Sequence, residues 1–229
     1  KNILLEKLVS YKVIEYKKIQ MLLNANKIKN FINFPRRIFV FYNNIKKKLD
    51  NSKPISIKVN LHNWNIASNA IHFLDLFTFL TKRKLKVSKI IFDKKIKKSK
   101  RKGYSELTGK IQFRSKFNDF LYIEDLNNKN IFQNIIIEQE TLKFIIFEDD
   151  RKYIMIKKNK NKVISKEFKA ETILQSYGTK IFLDNIINKN VINLPNINES
   201  SNDHTILLNS FETHLKKVKI NNNKKILFS

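Results

Sequence analysis

Apolar and polar positions alternate along this chain with two different periods. Ile55, Ile57, Val59 and Leu61 are separated by Ser56, Lys58 and Asn60. A period of two with β-branched residues predicts a strand with one buried face. Shorter strands are predicted at Leu85–Ile91 and at Lys110–Arg114, where Ile111 and Phe113 share a face, and in the apolar segments Ile131–Ile137, Leu142–Phe147 and Tyr153–Ile156, with Glu138-Gln139-Glu140 as a turn. Helical spacing predicts helices over Leu4–Leu23, from Ser68 or Asn69 to Leu80, over Phe117–Leu126, over Ser165–Ser176 ending at Gly178, and over Leu207–Val218. Asp50-Asn51-Ser52-Lys53-Pro54 is a breaker cluster that opens a core domain. The order predicts an α+β fold, a mostly antiparallel sheet with helices packed on one face. Residues 1–53 read as a helical N-terminal extension, 54–178 as the core, and 179–229 as a C-terminal extension whose segment 188–203 resembles a tail.

Composition narrows the chemistry. The 229 residues contain no cysteine and 3 glycines, Gly103, Gly109 and Gly178. That removes thiol chemistry, Cys-ligated zinc, and any GxGxxG or Walker loop. His62, His72, His204 and His214 show no ligand spacing, so no metal site and no cofactor are expected. Trp64 and Phe73 read as core packing, and Glu148-Asp149-Asp150 as an exposed turn. No nucleophile–base arrangement is visible, and no catalytic residue is assigned. No apolar stretch is long enough to cross a bilayer; Ala70 to Leu80 is short and holds His72 and Asp75.

Charge points toward a polyanion. Lys and Arg number 46 against 20 acids, a formal net charge of +26. Lys, Asn, Ile and Phe all have AT-rich codons, so the position of the charge carries more information than its total. Between Lys82 and Lys102 stand Lys82, Arg83, Lys84, Lys86, Lys89, Lys94, Lys95, Lys97, Lys98, Lys100, Arg101 and Lys102, with Asp93 as the one acid. Such a loop between two strands suits phosphate contacts that set position rather than read sequence.

The string from Lys102-Gly103-Tyr104 through Lys110-Ile111-Gln112-Phe113-Arg114 to Phe120-Leu121 resembles the universal large-subunit ribosomal protein that binds 5S rRNA, usually numbered five. Pro54 to Asn60, Leu80 to Lys84, Val87-Ser88-Lys89 and Arg151 to Ile156 resemble other parts of that family in order and spacing, and Glu167 to Gly178 its last helix. The resemblance covers roughly residues 54–178. It implies a structural constituent of the large subunit of a mitochondrial ribosome, in the central protuberance, and no enzyme. Its partners would be large-subunit rRNA, 5S rRNA where present, the peptidyl-site tRNA and a small-subunit head protein, with no membrane. The expected RNA-binding residues are Asn60, Lys82, Arg83, Lys84, Lys86, Ser88, Lys89, Lys94, Lys95, Lys97, Lys98, Lys100, Arg101, Lys102, Lys110 and Arg114. The expected location is the mitochondrial matrix, with the gene in an AT-rich organelle genome, in preference to a plastid. The alternatives are another organellar ribosomal protein or an RNA-processing protein of such a genome.

Overall fold

The computed structural model describes residues 1–94, 96–99, 102, 104–126, 132–159, 162–188, 193–218 and 227–228. The chain begins with β1 (Asn2–Leu5), α1 (Val13–Ala25) and β2 (Lys29–Ile32). β1 and β2 run parallel, from Asn2 opposite Lys29 to Leu5 opposite Ile32. A 3-10 turn, Pro35–Ile38, and α2 (Val40–Lys48) lead to β3 (Ser56–His62), α3 (Ile66–Thr81) and β4 (Leu85–Phe92). Then come β5 (Lys97–Lys98), β6 (Tyr104–Glu106), β7 (Gly109–Ser115), β8 (Phe120–Leu126), β9 (Asn134–Gln139), β10 (Leu142–Phe147), β11 (Lys152–Asn159) and β12 (Lys162–Lys169). α4 (Gln175–Ile187), α5 (Ser201–Lys217) and β13 (Leu227–Phe228) follow.

The main sheet has eight strands in the order β12-β11-β10-β9-β3-β8-β7-β4. Its neighbours are antiparallel except β3 and β8, which run parallel. The protein is therefore α+β, a mostly antiparallel sheet with helices on one face. Period-two patterning decides which face is covered: Ile57, Val59, Ile111, Phe113, Leu121, Ile123, Ile137, Phe144 and Ile146 are buried toward the helices. Gly109 sits where β7 crosses closely over β4. Its φ is +136°, and a Cβ there would run into the backbone of Ile91 and Phe92.

Helix α3 lies at the centre. It is rich in apolar residues, with one polar stripe of Ser68, Asn69, His72, Asp75 and Thr78, and residues from Ile66 to Leu80 on every side of it are buried. Its start is fixed by Asn65, whose side-chain oxygen accepts from Ala67 N and Leu107 N. Its end is set by Lys82, in the left-handed region at φ 55°. The core runs across residues 54 and 178 without a break. Tyr16, Phe34, Tyr42 and Ile45 from the first segment, and Leu207, Leu208 and Phe211 from the last, belong to the same apolar cluster as the sheet residues.

Four predicted elements are corrected. Phe117–Leu126 is no helix. Leu121, Ile123 and Asp125 alternate with half-exposed neighbours in β8, and a turn at Asn118 (φ 62°) reverses the chain after β7. Ser165–Ser176 is no helix either. Its first residues, Ser165 to Lys169, fall on β12, an edge strand paired along its length with β11 and exposed except at Phe168, so it has no period-two signature; residues 170–174 are in no element, and α4 begins at Gln175. Gly178 lies inside α4 instead of ending a helix, with Ile38 Cδ1 3.4 Å from where its Cβ would stand. The Leu4–Leu23 helix is two elements, β1 and α1, separated by residues 6–12. In the segment read as a tail, residues 193–203 are held in place: Tyr16 OH donates to Ile197 O at 2.6 Å, and Asn30 Oδ1 accepts from Ile197 N at 2.8 Å.

Two measurements test this packing. Ile45 is fully buried, so Ile45→Ala should lower the unfolding free energy by about 2–5 kcal/mol. The readout is a lower urea midpoint at unchanged slope; an unmoved midpoint would put α2 outside the cooperative unit. Asp203 of α5 accepts from Thr78 Oγ1 of α3 at 2.9 Å. Burial, helped by the Asp75 charge, raises its pKa from 3.8 to about 7. A raised folded-state pKa gives stability that is present below the unfolded value and is lost as pH rises through the folded one. Asp203→Asn should therefore flatten the fall in stability between pH 3.8 and about 7 and leave the protein more stable than wild type above that range.

Candidate functional site

A cavity of about 330 Å³ opens between α3, the segment after β1, the end of β2 and the turn after β10. Its wall includes Lys7, Asn33, Arg36, Trp64, His72 and Glu148. Parallel strands β1 and β2 end side by side there, and Asn33 N donates to Leu5 O at 2.9 Å. Ligands of open parallel sheets bind outside these carboxyl ends.

Lys7 follows β1, and the Lys7–Leu8 peptide is cis. Its Nζ donates to Asn69 Oδ1 at 2.8 Å and to Ser68 O at 3.0 Å. Burial, reinforced by the Arg36 charge and opposed by Glu6, lowers its pKa to about 8. Near neutral pH this amine both holds and yields a proton, the condition for acid–base work. His72 lies one turn beyond Ser68 on the same helix. Burial, then the charges of Lys7 and Arg36, hold its pKa well below the ordinary histidine value. It is a neutral imidazole whose Nδ1 has no hydrogen-bond partner among the described residues.

Asn33 Oδ1 is likewise unpartnered. Its Nδ2 donates to Glu6 Oε1 at 2.7 Å and to Thr179 Oγ1 at 3.3 Å, so the amide cannot turn over without losing both bonds. Two polar atoms without partners therefore lie in one cavity wall, where each costs free energy until a water or ligand meets it. Arg36 forms the floor. It grips Glu148 through Nε at 2.9 Å and Nη2 at 2.5 Å, and lies over the Phe73 ring at 4.6 Å and the Trp64 ring at 5.6 Å. Tyr42 OH donates to the same carboxylate at 2.7 Å. This corrects the reading of Glu148 as part of an exposed turn: Asp149 and Asp150 are exposed, whereas Glu148 is the counter-charge of a buried arginine.

The residues expected to bind RNA do not converge on this cavity. Arg83 is consumed by Asp119 at 2.6 Å and by the carbonyls of Lys53 and Asn51. Lys110 pairs with Glu124 at 2.6 Å, Asn60 donates to Asn134 at 2.8 Å, and exposed Arg114 lies over the Phe120 ring. Lys84, Lys86, Ser88 and Lys89 are exposed along β4 or just before it, with a bulge between Val87 and Lys89. Lys82, Lys94, Lys98 and Lys102 are exposed and Lys97 half-exposed. Lys95, Lys100 and Arg101 lie outside the described residues.

No family model matches the sequence, and no curated protein matches it. Solved structures do. A dehydrogenase from Clostridium difficile superposes with a TM-score of 0.67 at 14% identity, over 93% of this chain and 71% of that one. An NAD-binding protein from Listeria innocua gives 0.63 at 12%, over 95% and 74%. The super-repressor mutant of Gal80p from Saccharomyces cerevisiae gives 0.67 at 10%, over 95% and 71%. The chain shares the fold of these structures.

That fold overturns the ribosomal resemblance, and with it the mitochondrial-ribosome function, the rRNA, tRNA and small-subunit partners, the two RNA-related alternatives and the expectation of no enzyme-like architecture. The physical reason is visible in the string that carried the resemblance. Lys110 to Leu121 forms two antiparallel strands about a turn, where the resemblance requires a strand and then a helix. The sequence reading also passed over Lys7, Asn33, Arg36 and Asn69. One signal was present: His72 and Asp75 interrupt the apolar stretch from Ala70 to Leu80.

The depressed Lys7 pKa can be tested directly. Competitive acylation of the folded chain should show Lys7 reacting with a midpoint at about pH 8. A midpoint near the ordinary lysine value would mean the amine is solvated and the cavity open.

Proposed function

We propose that this cavity is the substrate side of an oxidoreductase and that Lys7 exchanges the proton at the oxygen of a small alcohol or carbonyl compound. The observation that carries the reading is the buried amine beside a neutral histidine, at the carboxyl ends of parallel strands, in a fold shared with a dehydrogenase. Asn33 and His72 line the same cavity and make its wall polar, which suits a hydroxylated ligand. Arg36 is already neutralised by Glu148, so the wall is poorly suited to a phosphate or carboxylate.

One protein of the same fold binds NAD, a nicotinamide dinucleotide. The residues of this chain do not supply its pyrophosphate cradle. That cradle needs a glycine-rich turn between a strand and a helix. Here Gly109 begins a strand, Gly178 lies within α4, and Gly103 has no second glycine at the required spacing. The chemistry assigned to these residues is therefore limited to binding and proton transfer. Lys7 takes or returns the proton, and His72 and Asn33 orient the oxygen-bearing carbon.

The test is turnover of a panel of hydroxy and keto compounds by the full chain with added NADH or NADPH, followed by nicotinamide absorbance. Lys7→Met should reduce the rate by roughly 10²–10⁴-fold while the protein stays folded. Turnover unaffected by Lys7→Met would remove Lys7 from the chemistry. Ligand binding with no turnover at all would point to a binding protein on this fold.

A further inference from the structure

We propose that Asn69 is a positioning residue, which holds the Lys7 ammonium at one point of the cavity wall and so fixes where Lys7 meets a ligand. The inference rests on the reading of Lys7 as the proton-transfer group. Asn69 sits on the first turn of α3, three residues before His72, and is half-buried. Its Nδ2 donates to Trp64 O. The amide orientation is thereby set, and Oδ1 is the atom turned toward Lys7, 2.8 Å from Nζ.

The surroundings of Lys7 show why such a holder is needed. Around the cavity, Arg36 from the 3-10 turn is cationic, and the amino end of α3 is the positive end of its dipole. Both push an ammonium away. Glu6 beside it, and Glu148 and Asp149 from the turn after β10, are carboxylates that would draw it off along the wall. His72 is neutral and offers no charge. Nζ donates to two uncharged acceptors, Asn69 Oδ1 and Ser68 O. A backbone carbonyl alone cannot choose among rotamers of a four-carbon stem. A side-chain amide anchored at its other end can.

The test reads Lys7 itself and needs no substrate. Lys7 is followed in the full chain by NMR of its labelled side chain as pH is varied, in wild type and in two variants. In wild type the side-chain amide signals of Asn69 should titrate with the same midpoint as Lys7, at about 8. Asn69→Asp places a carboxylate on the ammonium and should raise the midpoint by about one pH unit or more. Asn69→Leu removes the acceptor and leaves Glu6 alone against burial and the Arg36 charge, so the midpoint should fall. Opposite movements support the proposal. Unmoved midpoints in folded variants, movement of both in one direction, or wild-type amide signals that ignore the Lys7 titration would overturn it. Failure of the turnover assay with intact Lys7–Asn69 coupling would defeat the oxidoreductase reading and leave this one standing.

Discussion

Helix α3 is buried nearly all round, so its apolar residues need cover and its one stripe of polar residues, Ser68, Asn69, His72, Asp75 and Thr78, needs partners. The sheet covers one side through Ile57, Ile111, Leu121 and Ile123. The opposite side needs other elements, and the chain supplies them from its two ends: Tyr16 and Phe34 before the sheet, Leu207 and Phe211 after it. Residues outside 54–178 are thus committed to the core by the composition of one helix. Polar groups confirm how tight the cover is. Arg37 reaches Asp75 in the middle of α3 through Nε and Nη2, at 2.7 to 3.1 Å, with both partners almost fully enclosed. Breaking such a pair by removing one partner costs about 3–5 kcal/mol, because the remaining charge stays buried.

Consecutive arginines divide two tasks. Arg37 points into the layer between α3 and its cover; Arg36 points to the edge of that layer and binds Glu148 from the sheet. The cavity lies along this edge, where the parallel strands β1 and β2 end against the first turns of α3. Its position therefore follows from the same contacts that hold the helix. Lys7 and Asn33 arrive from strand ends, Asn69 and His72 from the helix, and Glu148 from the turn after β10. No single stretch of sequence contains the site.

This explains which parts were legible. Period-two alternation marks β3 and β7 because each has one buried face, while β10 and β11 show only as short apolar runs. β12 lacks it, since as an edge strand it is exposed except at Phe168. β8 is ambiguous: Phe120, Leu121 and Leu126 also fit a helix, and only pairing with β3 and β7 makes it a strand. A site assembled from five separated segments leaves no spacing signature. Lys7 reads as one more lysine in a basic chain, and its significance comes from burial and from Arg36, both tertiary facts.

The charge, which weighed most in the sequence, has a structural use that does not require a polyanion. An open sheet of eight strands has two free edges, here β4 and β12. Each edge presents unpaired backbone groups that invite another strand. Lys86 and Lys89 lie along β4, and Lys162, Lys166 and Lys169 along β12, all exposed. A second edge brought alongside would bring like charges together, with Glu167 on β12 as the one acid on the two strands, and burying lysine ammonium groups there would be unfavourable. β12 needs this protection most, because Val163 and Ile164 are also exposed on it. Clustered lysine on an edge strand and clustered lysine on a nucleic-acid surface look alike in sequence. What separates them is whether the same strands also mark the boundary of a sheet, and here they do.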